Sequence, residues 1–202
     1  MSIANYITFI RIFISPIFLF LYVEHEMLEI SPIVLPYILL FLFGVSELSD
    51  AFDGYLARKY NQVTDFGKIF DPMADSIYRI SVFLTFTQQP VNLHLLLVFV
   101  FIYRDSVVST IRTICALKGF ALAARPSGKI KAVIQAIAAL SVLIMMIPHS
   151  LGYMSNQSLH FWSTIAVGIA AIYSVYSGIE YIIANRNFIR KLLTQKTAKN
   201  HG

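Results

Sequence analysis

Residues 50–75 read DAFDGYLARKYNQVTDFGKIFDPMAD, and four of the aspartates in this stretch fall at helical spacing. Asp50 and Asp53 are three residues apart, and Asp71 and Asp75 are four apart. Each pair therefore shares one face of a helix. The residues between the pairs form a short turn, so two adjacent helices aim all four carboxylates at one point. Gly54 and Gly67 sit among the acids, where a missing side chain lets backbone and ligand approach closely.

The surroundings of this stretch are apolar. Of 202 residues, 57% are apolar and only 13% charged, and the mean hydropathy is +0.67. A soluble domain of this length is less hydrophobic, so the composition assigns the chain to a bilayer. A hydrocarbon core about 30 Å thick needs roughly 20 mainly apolar residues per helix. Six segments qualify: about 5–23, 34–60, 67–86, 93–118, 129–147 and 159–184. Pro32, Pro36, Pro90 and Pro148, with Gly152 and Asn156, punctuate the connections, and Pro16 places a kink in the first segment. The fold expected is all-α: one polytopic membrane domain over residues 1–202 with six transmembrane helices.

Basic residues fix an orientation independently of hydropathy, because short cytoplasmic loops are rich in Lys and Arg. Arg11, the group from Arg58 to Lys68, Arg79, Arg104, the run from Arg112 to Lys131 and the tail from Arg186 to Lys199 all fall on or near one face of a six-helix arrangement. The opposite loops carry Glu24, Glu26, Glu29, Gln88, Gln89 and residues 148–160, with no Lys or Arg. Both termini are therefore expected in the cytoplasm, with residues 186–202 a solvated basic tail near anionic headgroups and no role in nucleic-acid binding. The start of the chain lacks a basic n-region and a small-residue cleavage site, which reads as a retained first helix. Asn5, Thr8 and Arg11 recur on it at helical spacing. The single cysteine, Cys115, lies in an apolar run and reads as a buried structural thiol; one cysteine forms no intramolecular disulfide.

Four carboxylates near membrane depth each cost about 2.5 to 3.5 kcal/mol on insertion scales and repel one another. Something positive must sit among them. A single acid here would read as a cap or a surface ion pair, Asp65 capping the third helix or Asp53 pairing with Arg58 or Lys59; four at helical spacing read as a metal site. The donors are all oxygen, with no Cys or His nearby, which selects Mg²⁺, Mn²⁺ or Ca²⁺ over zinc. Mg²⁺ is favoured because such sites share the ion with a substrate phosphate.

The pattern Asp50, Asp53, Gly54, Ala57, Arg58, Gly67, Asp71 and Asp75 resembles the signature of the CDP-alcohol phosphatidyltransferases. The resemblance implies two divalent ions held against the diphosphate of a CDP-linked lipid, with an alcohol displacing CMP. It puts Asp50, Asp53, Asp71 and Asp75 in the role of metal ligands and Asp75 also in that of general base. Gly54, Ala57, Arg58 and Gly67 would line the CDP-lipid.

A second, basic set comprises Arg104, Arg112, Lys129 and Lys131. Arg104 and Arg112 are eight apart, nearly one face of the fourth helix, and the two lysines open the fifth. Their convergence would make an anion pocket, so the accepting alcohol is itself a phosphate ester; positive-inside charge is the plainer reading of such residues. The segment from Ile102 to Gln135 resembles the matching part of the bacterial phosphatidylglycerophosphate synthases, and so do residues 3–18 and 176–186. Asn5, Thr8, Arg11, Pro16, Ser177, Gly178 and Tyr181 carry the match at the two ends. That resemblance implies CDP-diacylglycerol and sn-glycerol 3-phosphate as substrates, a homodimer, and a bacterial inner or plasma membrane with the active site facing the cytoplasm. The chain departs from the pattern twice: Ser76 stands where lysine is usual, and Asp105 where glutamate is common. Other acceptors compatible with the same chemistry are inositol phosphate, phosphatidylglycerol and serine. An ion transporter is the alternative from another class, though no charged residue continues from the acids toward the other face.

Overall fold

A computed structural model describes the backbone of residues 3–59, 65–117 and 125–194, and the side chains of residues 11–49, 72–115 and 125–190. All regular structure among them is helical: α1 (Ile3–Val23), α2 (Leu35–Lys59), α3 (Asp65–Thr85), α4 (Leu95–Leu117), α5 (Pro126–Ser150), α6 (Asn156–Ala184) and α7 (Arg186–Thr194). Asp50 and Asp53 thus fall on α2, and Asp71 and Asp75 on α3.

Local chemistry sets the helix ends. Pro126 occupies the first turn of α5, where its missing N–H costs nothing. At the far end Gly152 adopts φ +81°, Tyr153 N–H donates to Pro148 O at 2.9 Å and Gly152 N–H to His149 O at 3.0 Å. This is the paired-carbonyl stop that favours glycine, and it explains why α5 runs through Pro148 to Ser150 where the sequence suggests a break at that proline. The Ser155 side chain caps α6, accepting from Ser158 N at 3.1 Å.

Around the bundle, α1 packs on α2 and α3, α2 on α5, α5 on α6, α6 on α4 and α4 on α3, with α3 also touching α5 across the middle. Successive helices alternate in direction, which divides the bundle lengthwise. One half holds the apolar core, with Phe18, Tyr22, Leu39, Phe83, Phe86, Phe101, Leu143 and Leu159 almost fully buried. The other half buries polar groups from every helix of the ring: Arg11, Ser46, Arg79, Asp105, Lys131, Gln135, Ser174 and Ser177. Cys115 is buried, as the sequence suggests.

The outside is apolar. Leu96 and Ile172 are about three-quarters exposed, and Phe13, Phe41 and Tyr103 more than 60% exposed. Contiguous exposed hydrophobic surface of this extent suits lipid, not water. Among the described residues α5 and α6 are long and apolar enough to cross a membrane, and 11–23 and 35–49 form shorter apolar stretches. α4 carries Arg104, Asp105 and Arg112 within its length, charges that belong to the polar half. The structure adds one element: residues 186–194, read from sequence as solvated tail, form α7, packed against α4 and α6. Its Phe188, Ile189, Leu192 and Leu193 alternate with Arg186, Arg190 and Lys191 at helical spacing, an amphipathic pattern suited to an interface.

Candidate functional site

The polar half is built around two acids from different helices. Asp75, on α3, receives a hydrogen bond from Arg79 Nε to its Oδ1 at 3.0 Å, one turn along the same helix. Arg79 is only 7% exposed. Its Nη1 donates to Ala132 O of α5 at 2.5 Å, and its Nη2 lies 3.5 Å from Glu47 Oε2 of α2. One guanidinium therefore joins three helices at Asp75.

Asp105, on α4, is the second hub. Lys131 Nζ reaches both of its oxygens, at 2.7 and 3.0 Å, and Arg104 Nη1 reaches Oδ1 at 2.9 Å. Arg104 extends further, donating from Nη2 to Ser177 Oγ on α6 at 2.9 Å. Gly178 makes room for that reach, because a Cβ there would stand 3.0 Å from Arg104 Cγ. Two cations share one carboxylate, so the group keeps a net positive charge although it is largely buried. Buried charges are tolerated when paired and hydrogen-bonded in this way.

Ser76 links the two hubs: its hydroxyl donates to Asp105 Oδ2 at 3.2 Å. The two departures from the phosphatidylglycerophosphate synthase pattern thus meet each other. A shorter acid opposite a shorter polar partner leaves Lys131 and Arg104 as the cations that hold Asp105.

Of the residues singled out from sequence, Asp75, Arg104 and Lys131 come together in this network. Lys129 is exposed at the start of α5, and Arg112 lies two turns beyond Arg104 on α4 with its guanidinium carbon 6.0 Å from the Tyr181 ring centre. Nε of Arg104, Nε of Arg112 and the Tyr181 hydroxyl are buried with no hydrogen-bond partner among the described residues. Such donors are costly unless an acceptor meets them in the working state. At the same end, Glu180 of α6 pairs with Arg125 at 2.7 Å and accepts from Ser127 Oγ at 2.5 Å, pinning the start of α5. The side chains of Asp50, Asp53, Asp71, Gly54, Ala57, Arg58 and Gly67 lie outside the described residues.

Glu47 and the bridging role of Arg79 were not singled out from sequence. The four-residue step from Asp75 to Arg79 is a visible ion-pair spacing, but Glu47 is 32 residues from Arg79 and only the fold brings them together.

A helical bundle that is apolar outside, charged at one end of its core, and carries an aspartate-rich motif on two helices defines a class of membrane-suited helical proteins with a polar site at one end. The chain belongs to the CDP-alcohol phosphatidyltransferase family, whose model matches residues 1–176. It is 33% identical over 190 residues to a CDP-diacylglycerol–glycerol-3-phosphate 3-phosphatidyltransferase of Bacillus subtilis, covering 91% of this chain and 95% of that protein. Proteins of the same name from Mycoplasma genitalium and Rickettsia typhi are 32% and 30% identical, over 90% and 93% of this chain and 83% and 98% of theirs.

Proposed function

We propose that this protein transfers a phosphatidyl group from CDP-diacylglycerol to sn-glycerol 3-phosphate, giving phosphatidylglycerophosphate and CMP. The observation that carries the acceptor is the group formed by Asp105, Arg104 and Lys131, a buried site of net positive charge beside Asp75. A phosphate ester fits it; an uncharged alcohol would leave it without purpose. The relatives named above bear the same activity in their names.

The donor chemistry of the motif suits two Mg²⁺ ions, with Mn²⁺ as substitute, since Asp50, Asp53, Asp71 and Asp75 offer oxygen alone. When bound, such ions neutralise a diphosphate and stabilise the departing phosphate oxygen. The remaining work falls to this chain's own side chains. Arg104 and Lys131 hold the acceptor phosphate, with Arg112 and Lys129 further along the same end of the bundle, and present the primary hydroxyl to Asp75. As the hydroxyl oxygen bonds to the phosphorus bearing diacylglycerol, Asp75 takes its proton and the bond from that phosphorus to the CMP oxygen breaks. The family resemblance assigns Gly54, Ala57, Arg58 and Gly67 to the nucleotide side. In this reading α1 to α6 all span the membrane, both termini and the site face the cytoplasm, the acyl chains stay in the bilayer of a bacterial inner or plasma membrane, and the protein works as a homodimer.

The test is CMP release by protein purified in detergent, with CDP-diacylglycerol, Mg²⁺ and each of glycerol 3-phosphate, inositol phosphate, serine and phosphatidylglycerol in parallel. Release is expected with glycerol 3-phosphate alone, and EDTA in excess should abolish it until Mg²⁺ is restored. Release with a different alcohol would overturn the acceptor assignment.

Gly178→Ala probes the acceptor side gently. The added Cβ crowds the Arg104 stem at 3.0 Å and displaces its bond to Ser177. The KM for glycerol 3-phosphate should rise about fivefold, a part of what a charged hydrogen bond contributes. The KM for CDP-diacylglycerol should stay within about twofold, because that side of the site is untouched; steady-state kinetics at fixed Mg²⁺ reads both.

A further inference from the structure

The acid motif needs positive charge beside it, and the structure places a guanidinium on one of its acids, Asp75, before any ligand is considered. Arg79 is buried, yet its fork is shared among Asp75 of its own helix, the Ala132 carbonyl of α5 and Glu47 of α2. A flexible ammonium could balance charge at this place, but one planar group spanning three helices also fixes direction. Nε takes Oδ1 of Asp75, so Oδ2 is the oxygen that Arg79 does not engage. Ala132 follows Lys131 directly in α5, so the contact that anchors Arg79 also sets the register of α5 against α3. Movement of α5 would shift Asp75 and Lys131 together.

We propose that Arg79 is a positioning residue for Asp75: anchored on Glu47 and Ala132, its guanidinium sets which carboxylate oxygen faces the reacting hydroxyl and couples that orientation to the seating of the acceptor-side helix. The inference rests on the reading of Asp75 as the proton acceptor. It differs from a role in charge balance alone, in which any cation would serve.

Arg79→Lys and Arg79→Met separate the two. Arg79→Lys retains the charge and loses the fork. If Arg79 positions Asp75, both variants lose kcat by about a hundredfold, the scale of an ångström of misplacement, while the KM for each substrate stays within about threefold. A second readout needs no turnover: the Mg²⁺ concentration that half-saturates the thermal stabilisation of the detergent-solubilised protein should rise about tenfold in Arg79→Lys, the loss typical when a residue orienting a metal ligand is removed. Glu47→Gln, which leaves Arg79 in place and weakens its anchor on α2, should lower kcat about fivefold with KM unchanged; it decides the matter if the Arg79 variants do not fold. Arg79→Lys with the kcat and Mg²⁺ half-saturation of the unsubstituted protein would overturn the proposal, as would Glu47→Gln without effect on kcat. Absence of CMP release by the unsubstituted protein with every alcohol would instead count against the transferase reading. In that case the Mg²⁺ titration still decides on Arg79.

Discussion

Asp75→Asn should reduce CMP release at least a thousandfold while leaving the protein folded. The amide keeps the shape of the carboxylate and can still accept a hydrogen bond from Arg79 through its oxygen. It cannot take a proton from the attacking hydroxyl, and positioned proton transfer contributes about 10² to 10⁴ in rate. It is also a poor ligand for a hard cation, which adds to the loss. The Asp75 side chain is a quarter exposed, and Glu47 and Ala132 still engage Arg79 in the variant, so no charge is stranded and the melting temperature should hold within a few degrees. Single-turnover CMP release at saturating substrates, beside a thermal melt, separates the two effects. Retention of more than about a tenth of the activity would remove Asp75 from the role of base, since that is far less than general-base catalysis supplies.

Much of this architecture is legible in the residues. Six apolar segments correspond to α1 through α6, because long apolar runs bounded by proline, glycine and polar connections favour helices. The ends shift for identifiable reasons: α5 begins at Pro126, three residues before the lysine that opens the segment read from sequence, because proline suits the first turn, and it passes Pro148 because Gly152 supplies the stop one turn later. α7 was hidden by its charge. Hydropathy averages Arg186, Arg190 and Lys191 with Phe188 and Leu192 and returns a polar tail; the alternation within nine residues carries the helix signal.

The site was legible along each helix and not between helices. The aspartate spacing and the Arg104 and Lys131 positions stand out in one dimension. The hydrogen bond from Ser76 to Asp105 spans 29 residues and that from Arg104 to Ser177 spans 73, and no periodicity encodes either. Positive-inside reasoning also counts Arg79 and Arg104 as topology charges. Both turn out to be buried or nearly so, each bonded to a carboxylate of its own helix and reaching on to neighbouring helices, Arg79 to Ala132 and Glu47 and Arg104 to Ser177, contacts that depend on what the fold brings alongside.

Lys131→Met and Asp105→Asn should fail in opposite ways, and the contrast tests the acceptor site more sharply than either alone. Methionine fills the volume of the lysine stem and leaves Asp105 with Arg104 and Ser76, so the fold should survive. What is lost is a charged donor to the acceptor phosphate, worth about 1.5 to 3 kcal/mol, or a rise of roughly 10- to 150-fold in the KM for glycerol 3-phosphate. The KM for CDP-diacylglycerol should change little. Asp105→Asn instead removes the anion between two buried cations. Arg104 and Lys131 then repel each other at side-chain exposures of 13% and 8%, and removing one partner of such a group costs about 3 to 5 kcal/mol. The variant should melt well below the unsubstituted protein, and glycerol 3-phosphate or inorganic phosphate should recover part of that stability by supplying the missing negative charge. Phosphate stabilising Asp105→Asn more than it stabilises Lys131→Met is the specific expectation, because only the first retains both cations. Equal response of the two would mean that Arg104 and Lys131 hold the bundle together without receiving the substrate.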